Sequence, residues 1–130
     1  MIFADVPRVL FLGTKSLKSD DGAKDLVGIQ LRTYSPESYE VYAWSLRGFG
    51  EIVAEEARKA GHSLKVMNVH GHDITHALIK RKIAKIDVCL LFHDPADRDD
   101  DVLKVFHVFK RTRPFAVANR ILCGPHVVSG

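Results

Sequence analysis

The residues best suited to chemistry in this chain gather in two short stretches. One is His70-Gly71-His72-Asp73, followed by His76, and the other is Asp94-Pro95, followed by the acid run Asp99-Asp100-Asp101. A carboxylate such as Asp73 or Asp101 acts as a general base when it lies within hydrogen-bond reach of a carbon acid. The same residue types have plainer uses, because aspartate is a preferred helix cap and acids are favoured in a first helical turn. Three acids in a row exceed what capping requires, which marks one of them for a ligand. His70 and His72 would share a face of an extended segment, and Asp73 adds a carboxylate, which opens a metal-dependent hydrolase reading. Their spacing matches neither the His-x-His-x-Asp-His pattern of binuclear hydrolases nor the helical His-Glu-x-x-His pattern, so no metal ligand is assigned. His76 would sit one helical turn beyond Asp73, whereas His62, His107 and His126 read as surface or partly buried side chains.

Two further positions suit an anion. Arg47 precedes Gly48 where a helical pattern begins, and an arginine beside a helix N-terminus is electrostatically unhelpful unless an anion lies between them. Lys18, near the start of the chain, reads as a solvated surface cation. The formal net charge of +3 is too small to imply nucleic acid. The densest basic runs, Lys80-Arg81-Lys82 and Lys110-Arg111 with Arg113, fall where helices should end, and positive charge is favoured there without any polyanion. Cys89 and Cys123 make no disulfide framework, and Cys89 sits in an apolar run as a small hydrophobe. No segment reads as a signal peptide or reaches the length of a membrane span, so a cytoplasmic protein is expected.

These groups need elements to hold them, and the chain alternates apolar runs with helical patterns throughout. Val9-Leu10-Phe11-Leu12 and Val88-Cys89-Leu90-Leu91-Phe92 are continuous apolar runs, as strands buried on both faces require. Tyr39–Trp44, Ser63–Val69 and Phe115–Ala118 complete five strand candidates. Between them lie helical patterns. The first is capped by Asp20 or Asp21, and the second runs from Gly48 to Ala60 with Gly61 as its stop. The third is capped by Asp73 and carries Ile74, Ala77, Leu78 and Ile83. The fourth is capped within Asp99–Asp101 and carries Val102, Val105, Phe106 and Phe109. Strictly alternating strands and helices predict an α/β fold: a three-layer sandwich with a mostly parallel five-stranded sheet flanked by helices, in one domain over residues 1–130. Ligands of such sheets bind beyond the carboxyl ends of the strands, which is where most of the histidines and acids above fall. Trp44, at a strand end, is expected to be a core or interface aromatic.

Three segments resemble the methylglyoxal synthase family. They are Gly71-His72-Asp73-Ile74-Thr75-His76-Ala77-Leu78-Ile79, then Lys85 to Pro95 with its "Ile-Asp-Val, apolar strand, Asp-Pro" order, then Asp99-Asp100-Asp101-Val102. Pro114–Asn119 is similar to the family's last strand, and Val66–His70 to a segment of the related regulatory domain of carbamoyl-phosphate synthetase. The likeness spans residues 8–120 and is specific over Gly71–Asn119. It implies a lyase that converts dihydroxyacetone phosphate to methylglyoxal and inorganic phosphate without a cofactor, assembled as a homo-oligomer. By that resemblance Asp73 is the general base, Asp101 its second catalytic carboxylate, and Asp94 a supporting acid. Lys18 falls near the lysine that contacts phosphate.

The chain also departs from the family. Thr14-Lys15 stands where the family has a carbonyl-polarising histidine and an aspartate, and His70 or His72 is the available substitute. Trp44-Ser45-Leu46-Arg47-Gly48 replaces a threonine- and glycine-rich phosphate loop, with Arg47 as a bidentate alternative. The expected site is therefore Asp73, Asp101, Asp94, His70 and His72 for catalysis. Lys18, Arg47, Gly48, Thr14 and Gly71 are expected to hold the phosphate of a small phosphorylated metabolite. Neither nucleic acid nor membrane is expected as a partner. The competing readings are a regulatory module of the same fold that binds a phosphometabolite or nucleotide without turnover, and the metal hydrolase built on His70, His72 and Asp73.

Overall fold

A computed structural model describes residues 6–18, 20–68 and 74–125. Five strands form one sheet: β1 Arg8–Gly13, β2 Glu40–Ala43, β3 Lys65–Val66, β4 Val88–His93 and β5 Val117–Leu122. Their order is β3-β2-β1-β4-β5 and every neighbouring pair is parallel. Four helices connect them: α1 Asp21–Thr33, α2 Phe49–Lys59, α3 His76–Lys82 and α4 Asp101–Thr112. A 3-10 turn over Lys15–Leu17 follows β1. The expected α/β sandwich is present, and its sheet is parallel throughout. No helix among the described residues is long and apolar enough to cross a membrane.

The sheet divides two apolar layers because side chains alternate along each strand. Val9 and Phe11 of β1, with Leu90 and Phe92 of β4, meet Ala23, Val27 and Leu31 of α1 and Ile52, Val53 and Ala57 of α2. On the other side Leu10, Leu12, Cys89 and Leu91 meet Ile79 of α3, Ile83 just past its end, and Val105, Phe106 and Phe109 of α4. β1 and β4, covered on both faces, are the two runs with no polar interruption. Asp20 caps α1 by accepting the Ala23 N–H at 2.8 Å, as its sequence position suggests. The basic runs Lys80–Lys82 and Lys110-Arg111 close α3 and α4.

Three elements differ from expectation. β3 is only Lys65–Val66, although Met67 and Asn68 still donate to the Ala43 and Trp44 carbonyls; Val69, the end of the expected Ser63–Val69 strand, lies outside the described residues. α3 begins at His76, and its cap is Thr75, whose hydroxyl accepts the Leu78 N–H at 3.1 Å. Asp73 is thus not the cap, and Ile74 precedes the helix. β5 runs over Val117–Leu122 rather than Phe115–Ala118, because a turn closed by the Ala116 N–H on the Arg113 carbonyl holds Pro114 and Phe115 out of the ladder.

One close approach fixes how α2 enters. Gly13, the last residue of β1, lies directly under the Phe49 ring, and any Cβ there would overlap that ring. Phe49 in turn leans on Phe92, with centroids 5.3 Å apart. The absence of a side chain at Gly13 lets the first residue of α2 sit on the carboxyl end of the central strands. Gly13→Ala is therefore expected to cost about 1–3 kcal/mol by overpacking, with partial recovery in Gly13→Ala/Phe49→Leu, read from urea denaturation.

Candidate functional site

In this strand order the connections run outward from β1 to β2 and β3, then cross back and continue outward through β4 and β5. The reversal lies between β1 and β4, and parallel sheets bind ligands beyond the carboxyl ends at such a point. Here the two strand ends are laced together. The Thr14 N–H donates to the Phe92 carbonyl at 3.1 Å, and the Asp94 N–H donates to the Thr14 hydroxyl oxygen at 3.0 Å. Both residues are fully buried. One Asp94 carboxylate oxygen accepts the Ala96 N–H at 3.0 Å, which shapes the Asp-Pro turn.

Beyond that contact, acids of the β4–α4 loop reach over to the 3-10 turn after β1. Asp97 accepts the Ser16 N–H at 2.9 Å and the Ser16 hydroxyl at 2.6 Å. Asp100 accepts the Lys15 N–H at 2.7 Å with one oxygen and the Val102 N–H at 3.1 Å with the other. Adjacent N–H groups opening a helical turn form an anion position. In this chain it is filled by the protein's own carboxylates. Asp100 serves two ends at once, since it also caps α4.

His93 closes β4 with its Nε2–H donating to the Asp97 carbonyl at 2.9 Å, which leaves Nδ1 as an acceptor. Among the described residues that Nδ1 has no hydrogen-bond partner although it is buried, and neither has the buried Nε1–H of Trp44, just past β2. Both residues belong to the side of the sheet covered by α3 and α4, and only the end of β1 separates them. Buried orphan donors and acceptors are costly, and a ligand that supplies the missing partner recovers that cost.

The β2–α2 loop presents open N–H groups beside an exposed cation. Gly48 caps α2 with φ 57 and ψ −118, a conformation that only glycine adopts readily, and nothing lies within 4 Å of where its side chain would be. Among the described residues, the N–H groups of Gly48 and Phe49 donate to nothing, and the exposed Arg47 guanidinium makes no hydrogen bond or ion pair.

The described site residues thus fall in three places. Thr14 and Asp94 form the closed β1–β4 junction, with Lys18 exposed just past the 3-10 turn. Arg47 and Gly48 form the β2–α2 loop. Asp101 lies in the first turn of α4, where Asp99, Asp100, His76, Lys104 and His107 line an open groove of about 530 Å³. Lys104 is anchored in that groove on the Ile74 carbonyl at 2.8 Å. His70, Gly71, His72 and Asp73 lie outside the described residues. Among the described residues no group of histidine, cysteine and acid side chains is arranged to hold a metal. Burial pushes the Cys89 thiol far up, and burial with the nearby Asp20 and Asp94 charges pushes Cys123 up to about 11, so neither supplies a thiolate nucleophile.

Sequence reasoning missed Ser16, His93 and Asp97 as site-forming residues, and it marked the Asp99–Asp101 run without singling out Asp100. His93 carried one visible signal, a polar residue ending an otherwise apolar strand. Compared with known proteins, the chain matches no family model, no curated protein and no solved structure.

The double duty of Asp100 has a measurable consequence. Asp100→Ala removes the α4 cap and the clamp on Lys15 together and should cost about 2 kcal/mol. Asp100→Asn keeps a good cap and should lose clearly less in the same urea titration.

Proposed function

We propose that this chain binds a small phosphorylated carbonyl compound at the carboxyl edge of its sheet and eliminates phosphate from it, as a divergent lyase of the methylglyoxal-synthase type. Dihydroxyacetone phosphate is the simplest substrate of that description. The observation that carries the reading is the β2–α2 loop. There an unpaired Arg47, the left-handed Gly48 and two undonated N–H groups stand at the start of an eleven-residue helix, on the ligand-binding edge of a parallel sheet. The phosphate belongs on this loop, since the competing N–H pair after β1 is already taken by Asp97 and Asp100.

The chemistry needs a base and donors for the developing oxyanion. Asp73 takes the proton from the carbon beside the carbonyl, and an enediolate forms. The carbon–oxygen bond to phosphate then breaks with its electron pair leaving on inorganic phosphate, and the enol that remains tautomerises to the dicarbonyl. Trp44 supplies a buried N–H for the carbonyl oxygen, and Asp101 serves as the second carboxylate. No cofactor takes part, and a cytoplasmic setting belongs to the same proposal.

A second reading is favoured by one observation. Asp94 and Thr14 are fully buried and hydrogen-bonded to each other's segments, and the β1–β4 crevice is closed by carboxylates. A domain that binds the phosphometabolite without turnover would need no more than the β2–α2 loop.

Phosphate release from dihydroxyacetone phosphate separates the two. The lyase reading expects turnover in the wild type and its loss in both Asp73→Asn and Asp101→Asn. Arg47→Ala is expected to raise KM about ten-fold or more, by removing a charge-assisted phosphate contact. No release, combined with a ligand-induced rise in Tm that Arg47→Ala abolishes, sinks the lyase reading and leaves the binding module.

A further inference from the structure

His93 ends a strand that is buried from its first residue to its last, and the proposed chemistry gives it no task. It is 7% exposed and Trp44 is 6% exposed. Among the described residues neither the His93 Nδ1 nor the Trp44 Nε1–H has a hydrogen-bond partner. The carboxyl edge thus holds one buried acceptor and one buried donor that the described chain leaves unused.

Both side chains stand on one face of the sheet. Alternation sets Trp44 on the side of Tyr42, and His93 on the side of Cys89 and Leu91, which is the α3–α4 side in each case. The register pairs Phe11 with Ala43 and Leu12 with Leu91. Trp44 therefore stands level with Leu12, and His93 lies two residues beyond Leu91. Two strand spacings and two residues of rise put their Cα atoms about 12 Å apart. An indole, an imidazole and a small ligand fragment span that distance.

The imidazole is held in place by the protein itself. Its Nε2–H donates to the Asp97 carbonyl at 2.9 Å, which leaves Nδ1 to accept. The Asp97 N–H donates to the Asp94 carbonyl at 2.9 Å, and its carboxylate is fastened to Ser16 across the reversal point. A turn tied at both ends fixes the ring, so binding a ligand there costs little further ordering.

From this arrangement we infer that His93 is a specificity-determining residue: its Nδ1 accepts the proton of a hydroxyl group on the carbon next to the ligand's carbonyl, while Trp44 donates to the carbonyl oxygen. Phosphate on Arg47 and Gly48, carbonyl on Trp44 and hydroxyl on His93 follow the order of these groups along dihydroxyacetone phosphate. An ammonium could also donate to Nδ1, but burying a charge beside a neutral ring carries a penalty that a hydroxyl avoids. A methyl group in the same place leaves the acceptor buried and unpaired, and sites built to bond a hydroxyl reject such analogues strongly. The inference rests on the proposed phosphorylated-carbonyl reading and adds the residue that reads the end of the molecule remote from phosphate.

The test is calorimetric binding to the full chain carrying Asp73→Asn, so that no phosphate is eliminated during the titration. The probes are inorganic phosphate, dihydroxyacetone phosphate, and hydroxyacetone phosphate, which has a methyl in place of the hydroxymethyl group. Dihydroxyacetone phosphate should bind at least about ten-fold tighter than hydroxyacetone phosphate. Adding His93→Gln keeps a donor for the Asp97 carbonyl and removes the Nδ1 acceptor. It should bring the two ketones within about two-fold of each other and leave inorganic phosphate unchanged. If His93→Gln does not fold by circular dichroism, the NMR resonance of His93 Nδ1 decides: dihydroxyacetone phosphate should move it and hydroxyacetone phosphate should not. Equal affinity for the two ketones, a preference that His93→Gln retains, or an unmoved resonance overturns the inference and leaves the phosphorylated-carbonyl reading standing. If neither ketone binds, that reading itself fails and the inference falls with it.

Discussion

Two backbone N–H groups, those of Lys15 and Ser16, meet carboxylates that arrive from the other side of the sheet's reversal point, and the carboxyl edge is organised around that meeting. Asp97 and Asp100 are separated from these partners by 81 and 85 residues, so the contacts exist only once β1 and β4 lie side by side. Charge-assisted hydrogen bonds of this kind are stronger than neutral ones. They hold the turn after β1, the Asp-Pro turn and the start of α4 as one body. Asp100 is the pivot, since its two oxygens fix the turn and cap the helix together.

That constraint decides where a ligand can go. A parallel sheet that reverses direction between β1 and β4 would ordinarily offer its crevice there, with N–H groups aimed at an anion. In this chain the crevice is closed by internal acids, and Phe49 sits over the bare end of β1. Among the described residues the undonated N–H groups and the free cation lie one strand over, at Arg47 and Gly48. Trp44, just past β2, and His93, the last residue of β4, each bring one buried polar atom without a partner among the described residues to the same side of the sheet. Under the proposed function, the phosphate would sit at the α2 entrance and the carbonyl end beneath α3.

Much of the frame was legible because it rests on local rules. The apolar runs at Val9–Leu12 and Val88–Phe92 announce strands covered on both faces, and Asp20, Gly61 and the basic helix ends punctuate as expected. What failed locally was decided by distant partners. Phe115 looks like strand interior until the Arg113–Ala116 turn excludes it. Asp73 looks like a cap until Thr75 proves to start α3. In the acid run, sequence cues could not say which member was special, because the answer lies in which one reaches the Lys15 N–H. The spacing around His70, His72 and Asp73 pointed to a ligand by residue type alone, and those residues lie outside the described part of the chain.

Trp44 is the chain's sole tryptophan, and it lies buried at the end of the strand that leads into the Arg47–Gly48 loop. Its fluorescence therefore reads the candidate site directly. Titration with dihydroxyacetone phosphate should give a saturable change, displaced to at least about ten-fold higher concentration in Arg47→Ala, in keeping with the loss of a charge-assisted contact. A flat titration, or a response that Arg47→Ala leaves in place, would contradict a phosphorylated ligand seated on the β2–α2 loop.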